Sequence, residues 1–185
     1  MDIGAENYRR FLSGDNNGLV EIIRDYKDGL ILYLRGFTKD IIQAEELAED
    51  TFVKLVTKRP RFQQKSSFKT WLYTIGRNVA LDQIKHKSRF CEISYDDCYE
   101  LAVEEASLEC AYIREERALH LHRVLCELNP EYRRVLWLSY FEGFSNREIA
   151  KIMKRSTHSV ETMVWRAKLA LKKLLDKEGF TYENL

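Results

Sequence analysis

Glu161, Thr162, Trp165, Arg166 and Lys168 bring hydrogen-bonding, stacking and cationic groups together near the end of the stretch GFSNREIAKIMKRSTHSVETMVWRAK, residues 143–168. On the exposed side of a helix such groups can read base edges in a DNA groove, and Lys168, Lys172 and Lys173 would extend a basic face toward phosphates. Trp165 has a plainer reading as the edge of a core. A second concentration lies between Thr51 and Phe90, where ten basic residues face one acidic residue, Asp82. Phe62, Phe68, Trp71 and Tyr73 are interleaved with them, and aromatic faces beside a basic groove hold unstacked bases. Phe68, Trp71, Leu72 and Ile75 also recur at helical spacing, so core packing accounts for most of these rings. The polar run Gln63 to Ser67 does not read as core. Just upstream, residues 43–50 (QAEELAED) are acidic and offer a surface for a different, basic partner.

Other chemistry finds little support. His120, His122 and Cys126 could put two metal ligands on one helical face, but no third or fourth ligand has matching spacing. The Glu45, Glu46, Glu49 and Asp50 cluster lacks the Glu-x-x-His pairs of a di-metal carboxylate centre. Neither a phosphate-binding glycine loop nor a nucleophile elbow is present. The expectation is a protein with no metal, no cofactor and no catalytic activity of its own.

Helical elements must position these groups. Asn129 before Pro130 predicts a helix start, because proline at the first helical position loses no needed amide proton. That helix runs through Val135, Leu136, Leu138 and Phe141 to a left-handed cap at Gly143. Ser145 and Glu148 form a capping box for the next helix, whose buried face is Ile149, Ala150, Ile152 and Met153 and which ends near Lys154. Val160, Val164, Ala167, Leu171 and Leu174 make the apolar stripe of a third helix. Two such helices across a short polar break predict a helix-turn-helix, although any two amphipathic helices with a polar connection share the pattern. The turn position usually given to glycine is Lys154, so either it takes positive φ or the turn lengthens over Arg155 to Ser159; the longer turn is expected. Upstream, a helix with an acidic beginning and a basic end is interrupted or ends near Pro60.

The 185 residues are 45% hydrophobic and 32% charged, with only two prolines and eight glycines, which fits compact all-α domains. Charge divides them: residues 1–90 carry 16 Lys+Arg against 12 Asp+Glu, residues 91–118 carry 2 against 9, and residues 119–185 carry 12 against 8. Two mildly basic helical domains, 1–90 and 117–178, are therefore expected on either side of an acidic linker, 91–116, with a tail at 179–185. The linker reads either as a solvated spacer or as a segment drawn to basic surfaces. Cys91, Cys98, Cys110 and Cys126 show no CxxC pair, and no apolar run approaches the roughly 18 residues of a membrane span, so reduced thiols, no membrane insertion and a cytoplasmic location are expected.

In their order and separation these blocks resemble the extracytoplasmic-function (ECF) sigma factors of bacterial RNA polymerase over nearly the whole chain. AEELAEDTFVKL and FKTWLYTIGRNVALDQIKHK resemble family regions 2.2 to 2.4; LNPEYRRVLWLSYFEGFSNREIAKIM and HSVETMVWRAKLALKKL resemble region 4. The resemblance implies that Glu45, Glu46, Glu49 and Asp50 meet core polymerase. It implies that Asn78, with Phe62, Gln63, Gln64, Lys65, Ser66 and Ser67, holds a flipped base of the minus-10 element, while Arg77, Lys85 and Lys87 hold the adjacent backbone. His158, Ser159, Glu161, Thr162, Trp165, Arg166 and Lys168 would face minus-35 DNA, with Arg166 suited to a bidentate guanine contact. Promoter DNA, core polymerase and an anti-sigma factor are the implied partners, and the linker would pass through basic channels of the polymerase. The chain departs from the family at Glu161, where a basic residue is common, and at Lys154. Two other classes compete: a stand-alone helix-turn-helix regulator, marked by tight duplex binding without polymerase, and an adaptor, in which Arg166→Ala would change nothing.

Overall fold

A computed structural model describes residues 2–38, 40–90 and 124–177. The expectations for the linker 91–116, for Cys91, Cys98, Cys110, His120 and His122, and for the tail 179–185 lie outside the described residues. Among the described residues every regular element is helical, as expected. The elements are α1 (Ile3–Leu12), α2 (Asn16–Leu34), α3 (Ile41–Lys58), α4 (Phe68–Phe90), α5 (Pro130–Leu136) with a π-helical continuation Trp137–Phe141, α6 (Asn146–Met153) and α7 (Thr157–Lys177). The chain divides into two compact units, and α1 to α4 pack together in the first.

Helix starts in the first unit are set by aspartates. Asp2, Asp15 and Asp40 each accept an amide proton from the first turn of α1, α2 and α3. Arg10 donates to the second Asp15 oxygen at 2.9 Å, and this bond holds the Asp15 carboxyl below its usual range. α1 and α2 then approach backbone to backbone, because a Cβ at Gly18 would fall on the Asn7 carbonyl oxygen and 2.9 Å from the Phe11 nitrogen. Leu30, Ile31, Leu34, Ala44, Leu55, Phe68, Leu72 and Tyr73 fill the core with no exposed surface. Each large apolar chain so buried contributes roughly 1.5–3 kcal/mol. α3 ends where expected: Arg59, just before Pro60, is left-handed at φ 41°.

The C-terminal helices begin as the sequence predicts, with Asn129 accepting from the Glu131 amide at 2.9 Å and Pro130 in the first turn. Beyond Leu136 the helix widens, and the Glu142 amide reaches the Trp137 carbonyl at 3.1 Å. The Trp137 and Phe141 rings stack at 4.3 Å, and Trp137 Nε1 donates to Glu142 at 3.2 Å. Gly143 is left-handed at φ 69°, and Ser145 and Glu148 exchange their capping bonds. Ile149, Ala150, Ile152 and Met153 are buried as expected.

The longer turn does not form. Lys154 takes φ 52°, with the Arg155 amide bonding to the Ala150 carbonyl at 3.0 Å and the Lys154 amide to the Lys151 carbonyl at 3.4 Å. This paired closure satisfies orphan carbonyls at the end of α6, offsetting a left-handed penalty of about 1–2 kcal/mol. Ser156 then caps α7, accepting from Ser159 at 3.2 Å. The α7 stripe is also rotated from its expected position: Val160, Met163, Ala167 and Leu175 are buried, whereas Val164, Leu171 and Leu174 are half-buried.

Two substitutions test these readings. Gly18→Ala should destabilise the protein by about 1–3 kcal/mol in urea unfolding, since its methyl meets backbone rather than a yielding side chain; unchanged stability would refute the close approach. Lys154→Gly should raise stability by about 1 kcal/mol by removing the left-handed cost; a loss would show that the lysine side chain outweighs it.

Candidate nucleic-acid interface

The short turn sets the first face. Because α7 begins at Thr157, His158 and Ser159 lie in its first turn, followed by Glu161, Thr162, Trp165, Arg166 and Lys168. Ser159 and Thr162 are half-buried and the other five are exposed. Trp165 keeps 61% of its surface in solvent, which removes the core-edge reading. Thr162 Oγ1 donates to the His158 carbonyl at 3.1 Å, leaving the hydroxyl oxygen to accept.

Two flanks divide this set. Ser159, Thr162 and Arg166 line a cleft of about 380 Å³ together with Glu131, Tyr132 and Arg155. Arg155 Nη2 is 2.6 Å from Glu131 Oε1, so the turn is tied to the start of α5. On the other flank the Lys168 ammonium sits 5.0 Å from the Tyr140 ring centroid, in the π-helical stretch. Sequence reasoning misses both flanking residues: Arg155 falls in what reads as a slack turn, and local spacing does not give Tyr140 a partner 28 residues away.

The second face lies in the first unit. Gln63, Gln64 and Lys65 are exposed, with Gln64 left-handed at φ 56°. Phe62 and Trp71 are half-buried with ring centroids 5.1 Å apart, while Phe68 and Tyr73 are fully buried. Core packing therefore accounts for Phe68 and Tyr73, and Phe62 and Trp71 form the half-buried edge of the ring cluster. Ser66 is half-buried. Ser67 helps to close the start of α4, where its Oγ accepts from the Thr70 amide at 3.2 Å and lies 2.8 Å from Thr70 Oγ1. Along α4, half-buried Arg77 and Asn78 and exposed Lys85 fall within about 100° of helical rotation at 3.6 residues per turn. Exposed Lys87 does not join them; its ammonium donates to Gln43 at 3.4 Å, at the start of α3.

A third face lies on α3. Glu46, Glu49 and Asp50 are exposed and Glu45 is half-buried. Ile42 and Val53, 53% and 54% exposed, and Val56 complete a stripe with Glu46 and Glu49 at helical spacing. Sequence reasoning misses these apolar members, although the steps 42, 46, 49, 53 and 56 show a second stripe beside the buried one. No helix among the described residues is long and apolar enough to cross a membrane.

Known proteins share both parts of this arrangement. Residues 22–90 match the family model of Sigma-70 region 2, and residues 119–171 match that of Sigma-70, region 4. The RNA polymerase sigma factor YlaC of Bacillus subtilis is 31% identical over 170 residues, covering 87% of this chain and 94% of its own. The ECF RNA polymerase sigma factor SigW of the same organism is 26% identical over 170 residues, covering 88% and 91%. Among solved structures, sigma factor RpoE of Bartonella quintana, in complex with the anti-sigma factor NepR, aligns with a TM-score of 0.67 at 23% identity, covering 90% of this chain and 98% of that one. CnrH, in complex with the cytosolic domain of CnrY, aligns at 0.63 and 21% identity over 95% and 96%, and both likenesses show a shared fold. With a region 2 and a region 4 in one chain and a relative above 30% identity along most of its length, this protein belongs to the ECF class of RNA polymerase sigma factors.

Proposed function

We propose that the three faces divide the work of this sigma factor, which directs core RNA polymerase to promoters. The observation that carries the assignment is the exposed face of α7, with Trp165 and Arg166 in solvent at the first turns after a tight helix-turn-helix. A helix presented in this way enters a major groove, where Arg166 pairs with a guanine while Thr162 accepts and Ser159 accepts or donates beside it. Lys168 and Arg155 meet phosphates at the two flanks. His158 and Trp165 supply apolar and stacking contact. Glu161 accepts from a cytosine amine.

In the first unit, Gln63, Gln64 and Lys65 with the Phe62 edge and Asn78 hold a minus-10 base after the strands part, and Arg77 and Lys85 hold its backbone. Lys87 contributes from a separate flank. Ser66 and Ser67 shape the loop. The α3 stripe of Ile42, Glu46, Glu49, Val53 and Val56 with Asp50 suits a basic protein helix rather than nucleic acid, because carboxylates repel phosphates while exposed valines need apolar cover. That helix belongs to core polymerase.

The functional domains are 1–90 and 117–178, joined by the linker 91–116, and the protein acts in the cytoplasm as an initiation factor without its own catalysis. An anti-sigma factor as a further partner is supported by the likeness to RpoE, a chain that shares this fold and is bound in its crystal structure by the anti-sigma factor NepR.

The test is binding to core polymerase and to a promoter selected in vitro from a randomised pool. Glu46→Lys with Asp50→Lys should weaken core binding at least tenfold while leaving the fold intact. Arg166→Ala should weaken holoenzyme binding by about 5- to 150-fold at promoters carrying one particular base pair and by much less at others, the range for one bidentate base contact. Uniform weakening across all sequences would reassign Arg166 to a phosphate. Tight, sequence-specific duplex binding by the protein alone, with none to core polymerase, would favour the stand-alone regulator.

A further inference from the structure

The segment that carries Gln63 to Ser67 is anchored at both ends by α1, which lies outside the region 2 match at 22–90. At its start, the Tyr8 hydroxyl donates to the Pro60 carbonyl at 2.8 Å. At its end, the Asp2 carboxylate divides its oxygens: Oδ1 accepts the Ala5 amide of α1 at 3.1 Å, and Oδ2 accepts the Phe68 amide, the first of α4, at 2.6 Å. A charge-assisted bond from 66 residues away thus supplements the local Ser67 cap of α4.

Ring packing repeats the same geometry. The Tyr8 ring lies 5.6 Å from Phe68 and 5.3 Å from Trp71, and Phe62 closes against both at 5.8 and 5.1 Å. Tyr8 is 1% exposed, so its hydroxyl has little water to bond instead of Pro60. Between the two anchors only Gln63, Gln64 and Lys65 project into solvent with Arg61, and Gln64 is held left-handed. A loop with two such fixed ends has few conformations to lose when a base enters it.

We infer that Asp2 and Tyr8 are positioning residues for base recognition: without touching DNA, they hold the ends of the 60–68 segment so that its exposed tip is preformed for an unpaired base. The inference rests on the proposed role of that tip in holding the minus-10 base. It gives α1 and its capping residue a part in promoter reading: Tyr8 is buried, and Asp2, though exposed, turns its carboxylate to the Ala5 and Phe68 amides.

The experiment uses the full chain assembled with core polymerase and a single-stranded DNA oligonucleotide carrying the minus-10 sequence selected in vitro, with singly substituted versions of it. The readout is the ratio of affinities for selected and substituted strands. Asp2→Asn with Tyr8→Phe should lower that ratio about fivefold or more while core binding and duplex minus-35 binding stay unchanged. Gln63→Ala with Lys65→Ala serves as the arm that tests the tip itself. Loss of discrimination in both double variants supports the inference. Loss with the tip variant alone overturns it and leaves the role of the tip intact. Full discrimination in both overturns the role of the tip and the inference with it. Tyr8→Phe keeps the ring and its packing, so if the Asp2 change unfolds the protein this single variant decides: discrimination reduced at unchanged melting temperature supports the inference, and discrimination equal to the parent overturns it.

Discussion

An α-helix leaves amide protons at its start and carbonyls at its end without helical partners, and the loop before α4 and the first turns of α7, two of the proposed nucleic-acid contacts, lie where that deficit is met. The start of α4 is closed by Ser67 and by Asp2, and the bases are to be met in the few residues before it. The end of α6 is closed by the left-handed Lys154, and the start of α7 by Ser156. Each closure forces the chain to change direction sharply, and that change brings exposed polar residues to the surface within a residue or two of a rigid element. A recognition residue so placed inherits the precision of the helix without being buried by it. Were the helices to fray at these ends, Gln63 to Lys65 and His158 to Arg166 would lose their fixed positions together.

Charge then separates the partners. The α3 stripe mixes carboxylates with exposed isoleucine and valine, whereas α7 and the loop before α4 carry arginine, lysine, amides and rings. A phosphate backbone is attracted to the second kind of surface and repelled by the first. One chain can therefore engage a protein helix and DNA without either competing for the other's face. The +1 net charge hides this division, because acidic residues, those of 91–118 above all, cancel the basic ones in the sum.

Local signals make much of the C-terminal half legible. Asn129 with Pro130, Gly143, and Ser145 with Glu148 are short-range pairings whose chemistry is complete within three residues, and each forms as expected. Lys154 misleads because the penalty of a left-handed lysine is visible in sequence, while the two backbone bonds that offset it are not. The π-helical widening at Trp137–Phe141 likewise depends on a stacked ring pair and on Glu142 meeting the indole, and helical periodicity passes through it unchanged. Among the aromatics near α4, core and edge cannot be separated by spacing because the rings packed against them, Tyr8 of α1 and Tyr26 and Tyr33 of α2, come from distant helices. The Asp2 bond to Phe68 spans 66 residues and leaves no local trace.

Promoter-directed transcription is the decisive measurement for a protein built this way. Core RNA polymerase would be given this protein, a promoter selected from a randomised pool and nucleotides, and transcript start sites would be mapped. Transcripts should start from one defined position that core polymerase alone does not use, and scrambling either promoter element should abolish them. A folded protein that binds core polymerase or DNA yet yields no defined start on any selected sequence would contradict it.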